Sequence, residues 1–228
     1  MPVGTNGRYY DNPTEAVAAD VNVTVKQAAA TTNTTFSSEG FDTILAKLRS
    51  HEIYATSLTG ANNDLVIVAL ANNTSPLTIA YVDPSANSAS LSVSVSTNAI
   101  SVSLATGSGG AITTTASDII TLLTSDASTK GLVTAVLKGS DTGAGVVTAL
   151  SAQNLAAWQG TSPTVDVSLE TSTDGTNWYG AGTAFTQLTG VGAEAGRAFS
   201  GLADSCRWKV VVGGTGPIVA YSIDASGK

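Results

Sequence analysis

The sequence predicts an α+β N-terminal module, a small mainly antiparallel sheet with one or two helices, followed by an all-β, sandwich-like C-terminal domain. Three observations predict it. Apolar residues alternate with Ser and Thr in several short runs, the period of half-buried strands. Two stretches instead carry apolar residues at helical spacing behind good capping residues. Past Gln159-Gly160-Thr161-Ser162-Pro163, which reads as a domain boundary, only the strand period remains. The expected organisation is an extended arm over 1–35, the α+β module over 36–158 and the sandwich-like domain over 163–228.

In the arm, Tyr9 and Tyr10 precede an Asp11-Asn12-Pro13 turn signal. Val21, Val23 and Val25 then alternate with polar residues as one half-buried strand, and the run AAATTNTT reads as a Thr-rich linker. Such an arm either lies across a neighbouring subunit or forms an edge strand of its own domain. Ser37 or Ser38 can cap a helix beginning near Phe41, where Phe41, Ile44, Leu45 and Leu48 recur at helical spacing and Lys47 and Arg49 suit the C-terminal end.

The strand period begins at Leu65. Leu65 to Leu70 is apolar on both faces, as in a central strand. Leu77, Ile79 and Tyr81 alternate up to Asp83-Pro84. Leu91, Val93 and Val95 face Ile100, Val102 and Leu104 across Thr97-Asn98, a hairpin signal, and Gly107 to Gly110 reads as a loop. A second helix starts near Thr115 to Ser117, with Asp118 in its first turn and Ile119, Ile120, Leu122 and Leu123 as its apolar stripe. Leu132 to Leu137 fits a short helix or a strand, and Gly139 to Gly145 a flexible loop. Beyond the boundary Val165, Val167 and Leu169 alternate with Asp166, Ser168 and Glu170, and Thr173-Asp174-Gly175 turns the chain. Ala184 to Leu188 reads as a strand and Gly190 to Gly196 as a glycine-rich excursion. Cys206, Trp208, Val210 and Val212 share one strand face, and Gly213-Gly214 turns the chain into a last strand over Ile218 to Ile223.

Composition narrows the function. The 228 residues are 43% hydrophobic and only 12% charged, which excludes a disordered polyelectrolyte. A surface poor in Lys, Glu and Arg suits a protein packed against neighbours. A formal charge of −7 with scattered cations argues against nucleic acid as a partner. No run is long enough to span a bilayer, and no membrane partner is expected. The N-terminus lacks a basic region followed by an apolar one, and the single Cys206 excludes an intrachain disulfide, so synthesis in a host cytoplasm is expected.

No enzyme is expected either, and no catalytic, metal-binding or cofactor-binding residue is assigned. His51 is the only histidine, so neither a second imidazole nor a His pair for zinc is available. Cys206 reads as a buried hydrophobe. Asp166, Glu170 and Asp174 fall within one hairpin, where carboxylates could bind calcium or act in sugar hydrolysis, but no DxDxDG loop frames them. Ser172 to Trp178 is similar to the Asp-box turn, one residue short. Trp158, Trp178 and Trp208 could build a sugar platform, though core packing is the commoner use.

The segment DLVIVALANNTSPLTIAYVDPSANSASLSVSVSTNAISVSLAT, with the SDIITLLTSDA helix and the GSDTGAGVVTAL closure, resembles a module recurrent in tailed-bacteriophage structural proteins, over about 63–156. The stretch from VDVSLETSTDGTNWYG to CRWKVVVGG looks like the accessory β-sandwich of phage head and tail proteins. The resemblance implies a non-enzymatic virion part, a capsid decoration or cement protein located in the virion. It implies the major capsid protein or other virion proteins as partners, with a homotrimer expected at lattice three-folds. A tail or baseplate component and a virion-surface carbohydrate-binding module are the alternatives. Tyr9, Tyr10, Val21, Val23 and Val25 are the expected assembly contacts.

Overall fold

In a computed structural model, residues 23–38, 41–70 and 75–227 are described. They form two compact units, the first from the described residues up to Ser50 together with those from Gly160 on, the second from those between His51 and Gln159. The α+β expectation fails. The described residues are mostly strand, and the only helix among them is ten residues long.

The first unit opens with β1 (Thr24–Lys26), β2 (Ala30–Ser37) and β3 (Thr43–Ser50). Two expectations are corrected here. The Thr-rich linker is strand β2, since Thr has a branched Cβ that favours the extended chain and the segment pairs along its whole length with a distant strand. The helix near Phe41 is strand β3. Its residues fit both periods, because Ile44, Ala46, Leu48 and Ser50 alternate with Leu45, Lys47 and Arg49. The structure buries the first set and turns the second outward, and strands on both sides satisfy the backbone.

The second unit follows with β4 (Ile53–Ala55), β5 (Leu65–Ala69), β6 (Thr78–Val82), β7 (Ser92–Ser96), β8 (Ala99–Ser103), α1 (Ala116–Ser125), β9 (Val133–Leu137) and β10 (Leu150–Asn154). Strand β5 lies between β4 and β9, both antiparallel to it, and all five of its residues are buried, as its two-sided apolar run requires. The other sheet runs β10-β6-β8-β7, with β6 and β8 parallel and the β7–β8 hairpin closed by Thr97-Asn98. One core joins the two sheets and the helix. It includes Leu65 and Ile67, Ile79 and Tyr81, Ile100 and Val102, Ile119 and Leu123, and Val133 and Ala135.

Helix α1 starts where the sequence places it. Thr115 caps it, with its hydroxyl and the Asp118 carboxylate bonding each other's backbone amides. The stretch expected to be a flexible loop is tied to this end: Gly145 and Gly143 carbonyls accept from Ala116 N and Ser117 N at 3.1 and 3.0 Å. Gly145 must lack a side chain there, because a Cβ would sit 2.0 Å from Ala61 O.

The first unit is completed by β11 (Gln159–Ser172), β12 (Tyr179–Gly180), β13 (Glu194–Ser200) and β14 (Ser205–Gly227). The hydrogen-bonded path is β12-β11-β14-β3-β13, with β1 and β2 also on β14. Two further expectations are corrected. Ala184 to Leu188 contributes only an isolated bridge, Val165 to Leu188, while the glycine-rich excursion supplies β13. Gly213-Gly214 ends no strand, and β14 runs on for 23 residues. Glycine serves close approach there: Gly214 has φ +101, and a Cβ on it would lie 2.8 Å from Ser162 O. The first third of β14 pairs with β2 and its last third with β3, so one strand belongs to both leaves. Phe36, Phe185, Phe199 and Trp208 fill the core, Trp208 lying 5.6–6.3 Å from each of the other three rings.

The strand assignment of 43–50 separates two neighbouring leucines that a helix would place on one face. Leu48→Ala should cost about 2–5 kcal/mol in chemical denaturation. Leu45→Lys, on the outward face, should stay within about 0.5 kcal/mol of the parent. Equal losses at both positions would contradict the strand.

Candidate functional site

Of the expected assembly contacts, Tyr9, Tyr10 and Val21 lie outside the described residues. Val23 and Val25 are half-buried, and Val25 stands opposite Ala220 in the β1–β14 pair. Among the described residues this part of the arm pairs with β14 alone, within its own unit.

The residues with reactive potential are absorbed by structure. His51 is 3% exposed, with Nδ1 3.0 Å from Ala69 O. It lies just beyond β3 and ends no helix. Trp158 Nε1 donates to His51 O at 3.1 Å. Cys206 is fully buried, its sulfur 3.7 Å from Thr171 Oγ1. Trp208, in the aromatic core, offers no sugar platform. In the second unit, Asp64 accepts from Thr56 Oγ1 and Leu58 N at 3.0 and 2.7 Å and pairs with Lys138 Nζ at 3.4 Å. That knot fastens β5 to the neighbouring chain ends.

The three carboxylates of the C-terminal hairpin are engaged separately. Asp166 accepts from Gln187 Nε2 at 2.9 and 2.8 Å. Asp174 closes the Asp-box-like turn, accepting from Thr176 N and Asn177 N at 2.8 and 2.7 Å, from Asn177 Nδ2 at 2.7 Å and from Ser172 Oγ at 3.0 Å. Those donors, the Asn177 amide first, hold its carboxyl far below the usual carboxylate range. Among the described residues no group of three or more His, Cys, Asp or Glu side chains could hold a metal ion.

Glu170 anchors a charged cluster on the outer face of this hairpin. Its carboxylate takes Arg207 at 2.6 and 2.7 Å and Lys209 Nζ at 3.1 Å. Arg207 also lies over the ring of half-buried Trp178, 4.4 Å from its centroid. Tyr179 beside it is 67% exposed. Burial pushes the Glu170 carboxyl up, but the hydrogen bonds and charges of Arg207 and Lys209 together outweigh it and hold the group below its ordinary value. Sequence alternation already turned Glu170, Arg207 and Lys209 outward. Only the pairing of β11 with β14 brings them together.

The other conspicuous surfaces are sheet edges. Among the described residues, strand β2 pairs with β14 alone and β7 with β8 alone. No charged residue occurs between Lys26 and Glu39, nor between Asp83 and Asp118. Both edges therefore lack the Lys side chains and, within the strands, the prolines that usually block edge-to-edge pairing. Among the described residues no helix is long and apolar enough to cross a membrane. Comparison with protein families, characterised proteins and solved structures finds no match to this chain.

Replacing Glu170 tests the cluster. Its lowered carboxyl stabilises the fold fully above the unfolded value, about 4.3, and that contribution fades as pH falls through the folded value. Glu170→Gln should lose about 1–3 kcal/mol near neutrality. Melting curves should then converge with those of the parent as pH falls below the unfolded value and through the lower folded one. A gap that stays constant until the parent itself unfolds in acid would show that the ion pairs do not carry it.

Proposed function

We propose that this chain is a structural virion protein of a tailed bacteriophage, of the kind that decorates or cements the capsid surface. The observation that carries the reading is the pair of open, uncharged sheet edges, β2 and β7. Natural proteins spend charge, proline or covering segments to keep such edges from recruiting strands, and these edges carry neither charge nor proline. A subunit meant to be paired keeps its edges receptive. The low charge of the whole chain and the resemblance of 63–156 to a phage structural module support the same reading.

The mechanism is passive. A strand or edge of the major capsid protein pairs with β2, main-chain hydrogen bonds supply affinity, and the area buried between neighbours raises the barrier to rupture of the shell. Assembly would occur in the host cytoplasm, with the protein resident in the virion. A tail or baseplate component uses the same edges and differs only in its place on the particle. The carbohydrate-binding alternative has less to stand on, since Trp208 is buried and Arg207 occupies a face of Trp178.

Purified particles of the virus whose genome carries this sequence should contain the chain in stoichiometric amount. Ala30→Lys with Thr31→Lys, both exposed on β2 and opposite Val212 and Val211, should leave the melting temperature nearly unchanged and reduce incorporation at least tenfold in quantitative mass spectrometry. Particles that lack the wild-type chain altogether would refute the assignment. Incorporation indifferent to the lysines would remove β2 from the contact.

A further inference from the structure

We propose that β7 is a self-pairing edge, along which two copies of this chain join antiparallel across a two-fold axis through Ser94. The inference concerns the second unit alone and does not depend on the virion reading.

The first observation is the phase of the free hydrogen-bonding groups. Ser96 and Ala99 flank a two-residue turn and pair with each other, as do Ser94 with Ser101 and Ser92 with Ser103. In such a hairpin the residues flanking the turn exchange both hydrogen bonds, and bonded pairs alternate with non-bonded ones. The serines therefore spend their backbone groups on β8. The N–H and C=O groups of Val93 and Val95 point the other way, along the open edge.

The second observation is the sequence of that edge. Ser92-Val93-Ser94-Val95-Ser96 reads the same in both directions. Laid antiparallel on a second copy with Ser94 on the axis, Val93 falls opposite Val95 of the other chain and Ser92 opposite Ser96. Both Val93–Val95 pairs then bring outward-pointing backbone groups together, so four main-chain hydrogen bonds form. The register that matches side chain to side chain is the one that matches donor to acceptor. No charge opposes the approach, because none lies between Asp83 and Asp118.

The third observation is burial. Val93 and Val95 are partly buried and pack on the core, yet stand at its margin. Pairing would cover that margin with the same two side chains of the other copy. Two four-stranded sheets would become one continuous sheet with the exposed serines on its outer face. The symmetry makes the interface isologous and closed, so pairing stops at two chains. Strand β2 lacks this property, since an axis at Asn33 sets exposed Ala30 against buried Phe36.

The test uses the full chain. Ser94 is exposed, and a non-bonded antiparallel pair at the axis brings Cα atoms to about 4.5 Å, within disulfide reach. With diamide as oxidant, two Ser94→Cys thiols should give up their hydrogens to it and close one intermolecular disulfide, read as a dimer on a non-reducing gel. The wild-type chain, whose only thiol Cys206 is buried, should not. Ser92→Cys alone should cross-link poorly, and Ser92→Cys with Ser96→Cys should link efficiently. In sedimentation equilibrium the wild type should approach twice the monomer mass with rising concentration. Ser94→Lys, setting two ammonium groups at the axis, should hold it at monomer mass with an unchanged circular dichroism spectrum. A wild type that stays monomeric at its solubility limit with no Ser94→Cys cross-link overturns the proposal. So does a dimer or trimer that is indifferent to Ser94→Lys.

Discussion

The first unit depends on the continuity of β14. A single strand of 23 residues offers hydrogen-bonding groups along both sides, and β1, β2, β3 and β11 all pair with it. Because its two halves serve different leaves, the chain need not break to close the core, and Trp208 on one half is held against Phe199 from the other leaf. The glycines around 213–216 make this possible. They allow the strand to bend and let β11 approach more closely than any side chain would permit. Every other strand of the unit pairs with β14 directly, except β12 and β13, which lie one strand removed on β11 and β3.

That dependence explains which parts of the fold were legible in the sequence. The hairpin of β7 and β8, the two-sided run of β5 and the capped start of α1 carry their signals within a few residues, because local turn chemistry, burial on both faces and a capping box are local facts. The alternation in β11 and in the first half of β14 was equally readable. Strand β3 was not, since Ile44, Leu45 and Leu48 satisfy the helical period as well as Ile44, Ala46 and Leu48 satisfy the strand period. The choice falls to β13 and β14, both remote in sequence. Strand β2 failed for the same reason: a Thr-rich stretch looks like a linker until its partner, near residue 208, is known. Glycine misled in two ways, hiding β13 and seeming to interrupt β14.

The surface followed a similar division. Outward placement of Glu170, Arg207 and Lys209 could be read from alternation, whereas their convergence on one carboxylate and the stacking of Arg207 on Trp178 required the sheet. The edges became visible only with the topology. Nothing in the run Ser92 to Ser96 says which side of the hairpin is open. Once β8 is seen between β6 and β7, the symmetry of that run acquires a physical meaning. A chain with few charges can bury its edges or offer them to partners, and among the described residues this one leaves β2 and β7 without charge or proline.

The central claim is that the protein acts through those edges, and amide hydrogen exchange reads it residue by residue. In the dilute isolated chain, the Val93 and Val95 amides should exchange rapidly while those of Val219 to Ile223, buried in the second half of β14, exchange only with global unfolding. On assembly into particles, protection should rise along β2 and β7 and nowhere else on the two sheets. Protection gained only around Trp178, Tyr179 and Arg207, with the edges still exchanging freely, would contradict the account.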